Sequence, residues 1–424
     1  MTIIKYSIML LSISGLLSVS SCKEPESTGP ENRSDSLVLK FKESDLTSAV
    51  LSLHTTGISL PATFSFNRID GPSRSFILHQ ADTTLKDSLL TPSTTYSWRV
   101  EKSANQKSNL ATGRTMDTTS HEFTWRVDTL GAVGIARDIA VLSDNDIWVV
   151  GEFYETSDDS QEPFNAAHWN GVKWELMKIM ITGYGGLIHP SVINAVFAFS
   201  NNNIWAFSIA GSYAHFDGFV WKSEFVNQRQ GGIYKIWGSS PENIYFIGTN
   251  GSMTHYNGNS FSLLSTGTTV NLLDITGTDD KTVWVSGYMT DDFKRIFMKY
   301  ENGAFQVISR NWIFGIWANP ANPDQLWTLD DLYLQKRSVK SPGTVKKQLK
   351  GITYFPMAIA GTAENNIFVV GHYVSIVHYN GSTLKTYDQL INEGKLYRLQ
   401  VTPNKVYAVG DLDNIPIVIT GSRY

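Results

Sequence analysis

Cysteine is almost absent: Cys22 is the only one in 424 residues. The chain can form no internal disulfide, and beyond that position it has no thiolate nucleophile and no cysteine-ligated metal site. Stability must come from packing, which a chain of this length can supply. Charge is sparse too. Charged residues make up 17%, the net charge is −4 and no basic run occurs, which removes the cationic footprint that nucleic acid requires. The apolar run Ile8 to Val19 falls short of the ~20 residues a membrane-spanning helix takes. Also missing are a Gly-x-Ser-x-Gly elbow, a phosphate loop, a dinucleotide fingerprint and any helix–strand alternation to carry them.

What is present begins with Lys5, the apolar run, and small residues leading to a cysteine, Val19-Ser20-Ser21-Cys22, the three parts of a secretory signal. These four residues resemble the lipobox of bacterial lipoproteins. That resemblance implies removal of residues 1–21, acylation (palmitate) at Cys22 and a membrane partner through the N-terminal lipid, in the outer membrane of a bacterial envelope. Lys23-Glu24 resembles the short charged signal that sends some Bacteroidetes lipoproteins to the cell exterior, leaving either side of that membrane open. Residues 22–36 are polar and Pro-containing and are expected to form a flexible tether.

From residue 37 to 118 short apolar–polar alternations such as Thr63-Phe64-Ser65-Phe66 recur between turn residues, the pattern of a small β-sandwich. The stretch Leu90-Thr91-Pro92-Ser93-Thr94-Thr95-Tyr96-Ser97-Trp98-Arg99-Val100 resembles the fibronectin type III segment in which a tyrosine, here Tyr96, bonds back to the preceding corner. The tryptophan usual on the second strand of such modules is replaced by Leu51 and Leu53, and no Arg-Gly-Asp loop occurs.

Residues 119–424 repeat. Ile147-Trp148-Val149-Val150-Gly151 returns as strands centred on Trp205, Tyr245, Trp284, Trp327, Phe368 and Tyr407. The aromatics are about 40 residues apart, except for 57 between Trp148 and Trp205. Four short strands at that period make a propeller blade. The turns His168-Trp169-Asn170-Gly171, His215-Phe216-Asp217-Gly218, His255-Tyr256-Asn257-Gly258 and His378-Tyr379-Asn380-Gly381 are expected to be two-residue hairpins with positive φ. The last unit has three strands, and Glu122 to Val127 supplies a fourth beside Ile417-Val418-Ile419, removing an exposed edge. The expected fold is therefore all-β: a fibronectin type III-like sandwich followed by a seven-bladed β-propeller closed by an N-terminal strand.

The junction Thr115-Met116-Asp117-Thr118-Thr119-Ser120-His121, with Asp128-Thr129-Leu130-Gly131 after the aromatic strand, is similar to that of Bacteroidetes- and Ignavibacteria-type lipoproteins combining a fibronectin-like module with propeller repeats. Some of these carry the label glucosyltransferase. That label directs attention to Asp-x-Asp, found at Asp144-Asn145-Asp146 and Asp411-Leu412-Asp413. The first occupies a turn where sister repeats have Asn201-Asn202-Asn203 and Pro241-Glu242-Asn243, so turn chemistry accounts for it. Four of the nine histidines share one repeat slot, which separates them in space; no metal or cofactor site is expected.

Aligning the innermost strands puts Asp138, Lys235, Asp274 and Arg398 at one level, a compensated charge ring around the axis. The second-to-third loops and the blade-to-blade connections open on one face. They bring Tyr154, Tyr184, Arg229, Tyr288, Asp291, Phe293, Trp312 and Tyr373, with insertions at 152–164 and 181–190. Loops on a rigid scaffold are where binding concentrates. The expected function is a non-catalytic envelope or cell-surface binding scaffold using this face for a protein or glycan. The alternative is a glycan-active or other hydrolytic propeller, which needs carboxylates converging at a channel mouth; Asp158-Asp159 and Asp291-Asp292 are its only hints.

Overall fold

The computed structural model describes residues 35–157, 162–208, 211–225, 232–277, 279–289, 293–320 and 322–423. The N-terminal signal segment with Cys22, nearly all of the tether, Arg229, Asp291 and both Asp-Asp pairs fall outside them. The described chain is all-β, with three single-turn 3-10 segments and no α-helix. Contacts divide it into two compact units. One comprises the described residues to Lys40, Ser52–Thr84 and Trp98–Ala111; the other comprises Phe41–Leu51, Leu85–Ser97 and Thr112–Tyr424.

In the first unit Ala62–Arg68 pairs antiparallel with Ser73–Leu78, and its Phe66 lies opposite Val100. Phe64, Phe66, Trp98 and Val100 are buried, as alternation along a pleated strand dictates. In the second unit the Tyr96 hydroxyl accepts the Thr91 N–H at 2.9 Å.

The repeats form seven four-stranded antiparallel sheets. Their first strands are Val133–Ser143, Ile193–Ser200, Ile233–Ser240, Leu272–Gly277, Ile313–Ala318, Pro356–Ala363 and Lys395–Val401. Each lies beside the first strand of the next sheet, and Lys395–Val401 lies beside Val133–Ser143, so the series returns on itself. The seventh sheet takes its outer strand, Thr124–Thr129, from ahead of the first, with Val127 opposite Ile419.

The repeated aromatic explains the stacking, because each one fills the space toward the following sheet. Trp148 packs with Ile193 and Val196, Trp205 with Ile233 and Ile236, and Tyr245 with Val270 and Ile275. Trp284 meets Ile313 and Ile316, Trp327 meets Ile359 and Val377, and Phe368 meets Leu399 and Ile419. Tyr407 completes the series against Ile139 and Val149 of the first sheet. At the borrowed strand a Cβ on Gly421 would lie 2.5 Å from the Trp125 ring, so only glycine lets that indole lie across the ladder.

The third-to-fourth strand turns differ from the two-residue hairpins expected. Gly171, Gly218, Gly258 and Gly381 have positive φ, but the Asn or Asp before each does not. Instead the Asn170 side chain accepts the N–H groups of Val172 and Lys173, and Asp217, Asn257 and Asn380 do the same in their turns. The side-chain carbonyl takes the place of a backbone partner, making a longer loop than a type I′ turn.

Candidate functional site

Each of the seven first strands carries a β-bulge in the same place. Pairing with the second strand skips one residue between Ala136 and Asp138, Ile193 and Ala195, Ile233 and Lys235, and Leu272 and Asp274. It does so again between Ile313 and Gly315, Pro356 and Ala358, and Leu396 and Arg398. A bulge leaves one residue outside the ladder and re-aims its side chain. The skipped residues are Arg137, Asn194, Tyr234, Leu273, Phe314, Met357 and Tyr397, and all seven line one cavity of about 270 Å³. The residue just past each bulge occupies the level of Asp138, Lys235, Asp274 and Arg398.

At that level the two acids have the same structural task. Asp138 accepts the N–H of Ile139 and of Val196 in the next sheet, at 2.9 and 3.0 Å. Asp274 accepts those of Ile275 and of Ile316 in its next sheet, at 3.0 and 2.7 Å. Each carboxylate therefore joins two neighbouring inner strands. The Lys235 ammonium pairs directly with Asp274. Asp138 is buried, and burial pushes its carboxyl above the usual range, opposed by the nearby charges of Arg398 and Lys235. Arg398 donates to the carbonyls of Tyr397 at 3.0 Å and Leu273 at 3.2 Å, spanning from the seventh sheet to the fourth. It lines both the 270 Å³ cavity and a second one of about 450 Å³ that extends toward the turns joining first and second strands.

At the other end, the start of each first strand lies beside the end of its second strand. Tyr288 and Trp312 meet there, with ring centroids 5.3 Å apart, and Phe314 touches both at 5.4 and 5.7 Å. The series continues through Phe355 to His372, and the Arg295 guanidinium covers Trp312 at 4.4 Å. Tyr373 packs beside Tyr354, and Phe293 is exposed with φ +54°. The other candidates stand apart from this cluster. Tyr154 donates its hydroxyl to Glu152 at 2.9 Å. Tyr184 meets Phe225 at the outer strand of the second sheet and is 81% exposed.

The insertion carrying Tyr184 is built rigidly at its base. Buried Asn165 accepts the Ile179 N–H and donates to the carbonyls of Ile179 and Ser191. Ile181–Thr182 then pairs with Ile188–His189, leaving Tyr184, Leu187 and Ile188 exposed at the tip.

Neither cavity brings free carboxylates together among the described residues. The smaller has none in its lining, and the larger has Asp138 and Asp279, each accepting two backbone N–H groups. Three of the four Asp-x-Asp carboxylates are likewise engaged. Asp144 binds Lys405 and the Tyr407 hydroxyl, Asp146 binds Trp148 and His168, and Asp411 accepts the Tyr397 hydroxyl. Three of the repeated histidines stack on the second-strand aromatic and bond the residue two before it: His168 on Trp148 with Asp146, His215 on Trp205 with Asn203, and His255 on Tyr245 with Asn243. Among the described residues no three His, Cys, Asp or Glu side chains gather as metal ligands would.

The bulged residues escaped the sequence reading because strict alternation turns the neighbour of an inward residue outward. A bulge breaks that rule, and the sequence marks it only by its recurrence one position ahead of the aligned level.

The chain matches no protein-family model. No curated protein matches it. Solved structures do resemble it in shape. The one titled YCF48 bound to D1 peptide is 12% identical with a TM-score of 0.56, over 73% of this chain and 100% of that one. The WD40 β-propeller domain of Doa1 is 12% identical with a TM-score of 0.53, over 72% of this chain and 98% of that one. At such identities the likeness concerns fold alone, and the fold is a β-propeller.

Proposed function

We propose that this protein is a lipid-anchored binding scaffold of the bacterial envelope: a fibronectin type III-like module followed by a seven-bladed propeller that Thr124–Thr129 closes. Its partner, a protein or a glycan, docks on the end that carries the second-to-third loops. The observation that carries this reading is the asymmetry of the two ends. One bears short turns capped by their own side chains. The other bears the aromatic cluster around Tyr288 and Trp312 and the braced insertion with Tyr184. Among the described residues, the lining of these two cavities carries no pair of free carboxylates, which supports binding rather than hydrolysis. That a propeller of similar fold was solved with a peptide bound is a property of that protein, consistent with this use of the scaffold.

A photo-crosslinking residue in place of Tyr184 or Phe293 is expected to trap a specific envelope component, whereas one in place of Phe219, on an opposite turn, is not. Tyr184→Ala should abolish capture while leaving the melting temperature within about 1 °C, as surface changes cost under ~0.5 kcal/mol. Capture only from Phe219 would overturn the placement.

Anchoring makes a separate prediction. Wild-type protein is expected to fractionate with membranes and carry an acylated Cys22, and Cys22→Ala to become soluble. An unmodified N-terminus on wild-type protein would end the proposal.

A further inference from the structure

We infer that the cup formed by the seven bulged residues binds a small aromatic carboxylate, an anionic group held on one side and a flat apolar group on the other. The inference rests on reading this end of the ring as the binding end, and it names a chemistry for its centre. The lining is divided by sheet. Arg137, Asn194 and Tyr234 make a polar arc on the first three sheets, and Leu273, Phe314 and Met357 an apolar arc on the next three. Tyr397 and Arg398 of the seventh sheet join them, and Tyr288 adds a further ring.

Two guanidinium nitrogens of lining residues, Nε of Arg137 and Nε of Arg398, are buried without a hydrogen-bond partner, as is the acceptor Oδ1 of Asn194, which a carboxylate would leave unpaired. Leaving such groups unpaired is costly, and guanidinium donors are best satisfied by a carboxylate, which accepts two parallel N–H bonds. The lining itself contains no acid; outside it, Asp138 lies near Arg398 and the Glu152 carboxylate is 4.0 Å from Arg137, so the charge of neither guanidinium is matched from within the cup. The volume of about 270 Å³ suits a single ring with a short acid arm rather than a sugar chain. Phe314, held in place by Phe355 and Trp312, gives the apolar arc an aromatic side chain against which that ring can pack.

The test is calorimetric titration of the full chain with indole-3-acetate and with its neutral analogue, indole-3-acetamide. The acid is expected to bind and the amide to bind at least about tenfold more weakly, the ordinary worth of one charge-assisted contact. Arg137→Met should bring acid affinity down to that of the amide. Met357→Glu, which sets a competing carboxylate in the cup, should abolish acid binding and serves if Arg137→Met fails to fold. Equal affinity for acid and amide, no binding of either, or full binding by a folded Arg137→Met or Met357→Glu would overturn the inference. Crosslinking from Tyr184 is independent of the cup. A capture that persists while the acid fails to bind would remove the cup's ligand and leave the binding-end reading standing.

Discussion

Replacing Phe123 and Trp125 together by alanine is expected to destabilise the ring by about 5 kcal/mol, less than two fully buried aromatic truncations would remove at ~3–5 kcal/mol each, because both side chains stay partly exposed. Both side chains are half-buried and pack into the core between the sixth and seventh sheets. Phe123 meets Phe368, His378 and Tyr387 edge-on, and Trp125 meets Tyr387 at 4.6 Å. The Tyr387 hydroxyl in turn donates to the His121 carbonyl at 2.9 Å. A loss of this size approaches the whole stability of a typical domain. Val127→Ala is the control, since Val127 lies in the same strand with its side chain exposed, and it should cost under about 0.5 kcal/mol. Urea unfolding followed by circular dichroism gives both numbers. If the aromatic double variant unfolds at the wild-type midpoint, Thr124–Thr129 does not close the ring.

The second large effect is acid lability at the same seam. His378 is fully buried, stacked on Phe368 at 4.3 Å, with its Nδ1 2.9 Å from Nδ1 of His121. Two imidazoles that close share one proton, so one donates and the other must be neutral. Burial, then the charges of His121 and Arg423, push the His378 pKa down to about 2. The unfolded chain binds a proton at this ring near pH 6.5 while the folded chain refuses it down to about 2. Stability is therefore complete above about 6.5 and declines as pH falls, by up to ~1.4 kcal/mol per unit. Between pH 6.5 and 5 this group alone should remove about 2 kcal/mol. Burial also lowers the pKa of His121, His215, His255 and His372, so they act in the same direction. The window lies above the carboxylate range, which keeps the effect separable. His378→Gln retains hydrogen-bonding capacity without titrating and should flatten the slope of stability against pH between 5 and 6.5. An unchanged slope in that variant would show the charge is accommodated elsewhere.

The repeat was legible because its aromatic answers a local demand that recurs with every sheet. Trp148, Trp205, Tyr245 and their counterparts each fill one inter-sheet space, so they recur at one spacing and announce an all-β propeller. At the inner level the equivalence of positions 138 and 274 follows from the repeat, but the task of their carboxylates, each accepting backbone N–H groups of two neighbouring strands, does not. What the sequence hid depends on backbone irregularity or on distance. Asn-Gly pairs read as tight hairpins, yet the Asn side chain takes over the turn. Tyr288 joins Phe314, and Phe314 joins Phe355, only through contacts between sheets, and no spacing along the chain reports that. Tyr184 and Tyr288 sit on connections that open at the same end, but Tyr184 meets Phe225 of an outer strand whereas Tyr288 lines the central cavity.

The seven bulges have a consequence for how such a ring can change over time. A bulged residue contributes its side chain to the cup while standing outside the pairing of its own strand. Its identity is thus uncoupled from the ladder that holds the sheet together. Arg137, Tyr234 or Met357 can be exchanged one sheet at a time, and each exchange rewrites one seventh of the cup's wall over an unaltered frame. At such positions the wall of the cup can vary while the strand pairing that frames it stays the same.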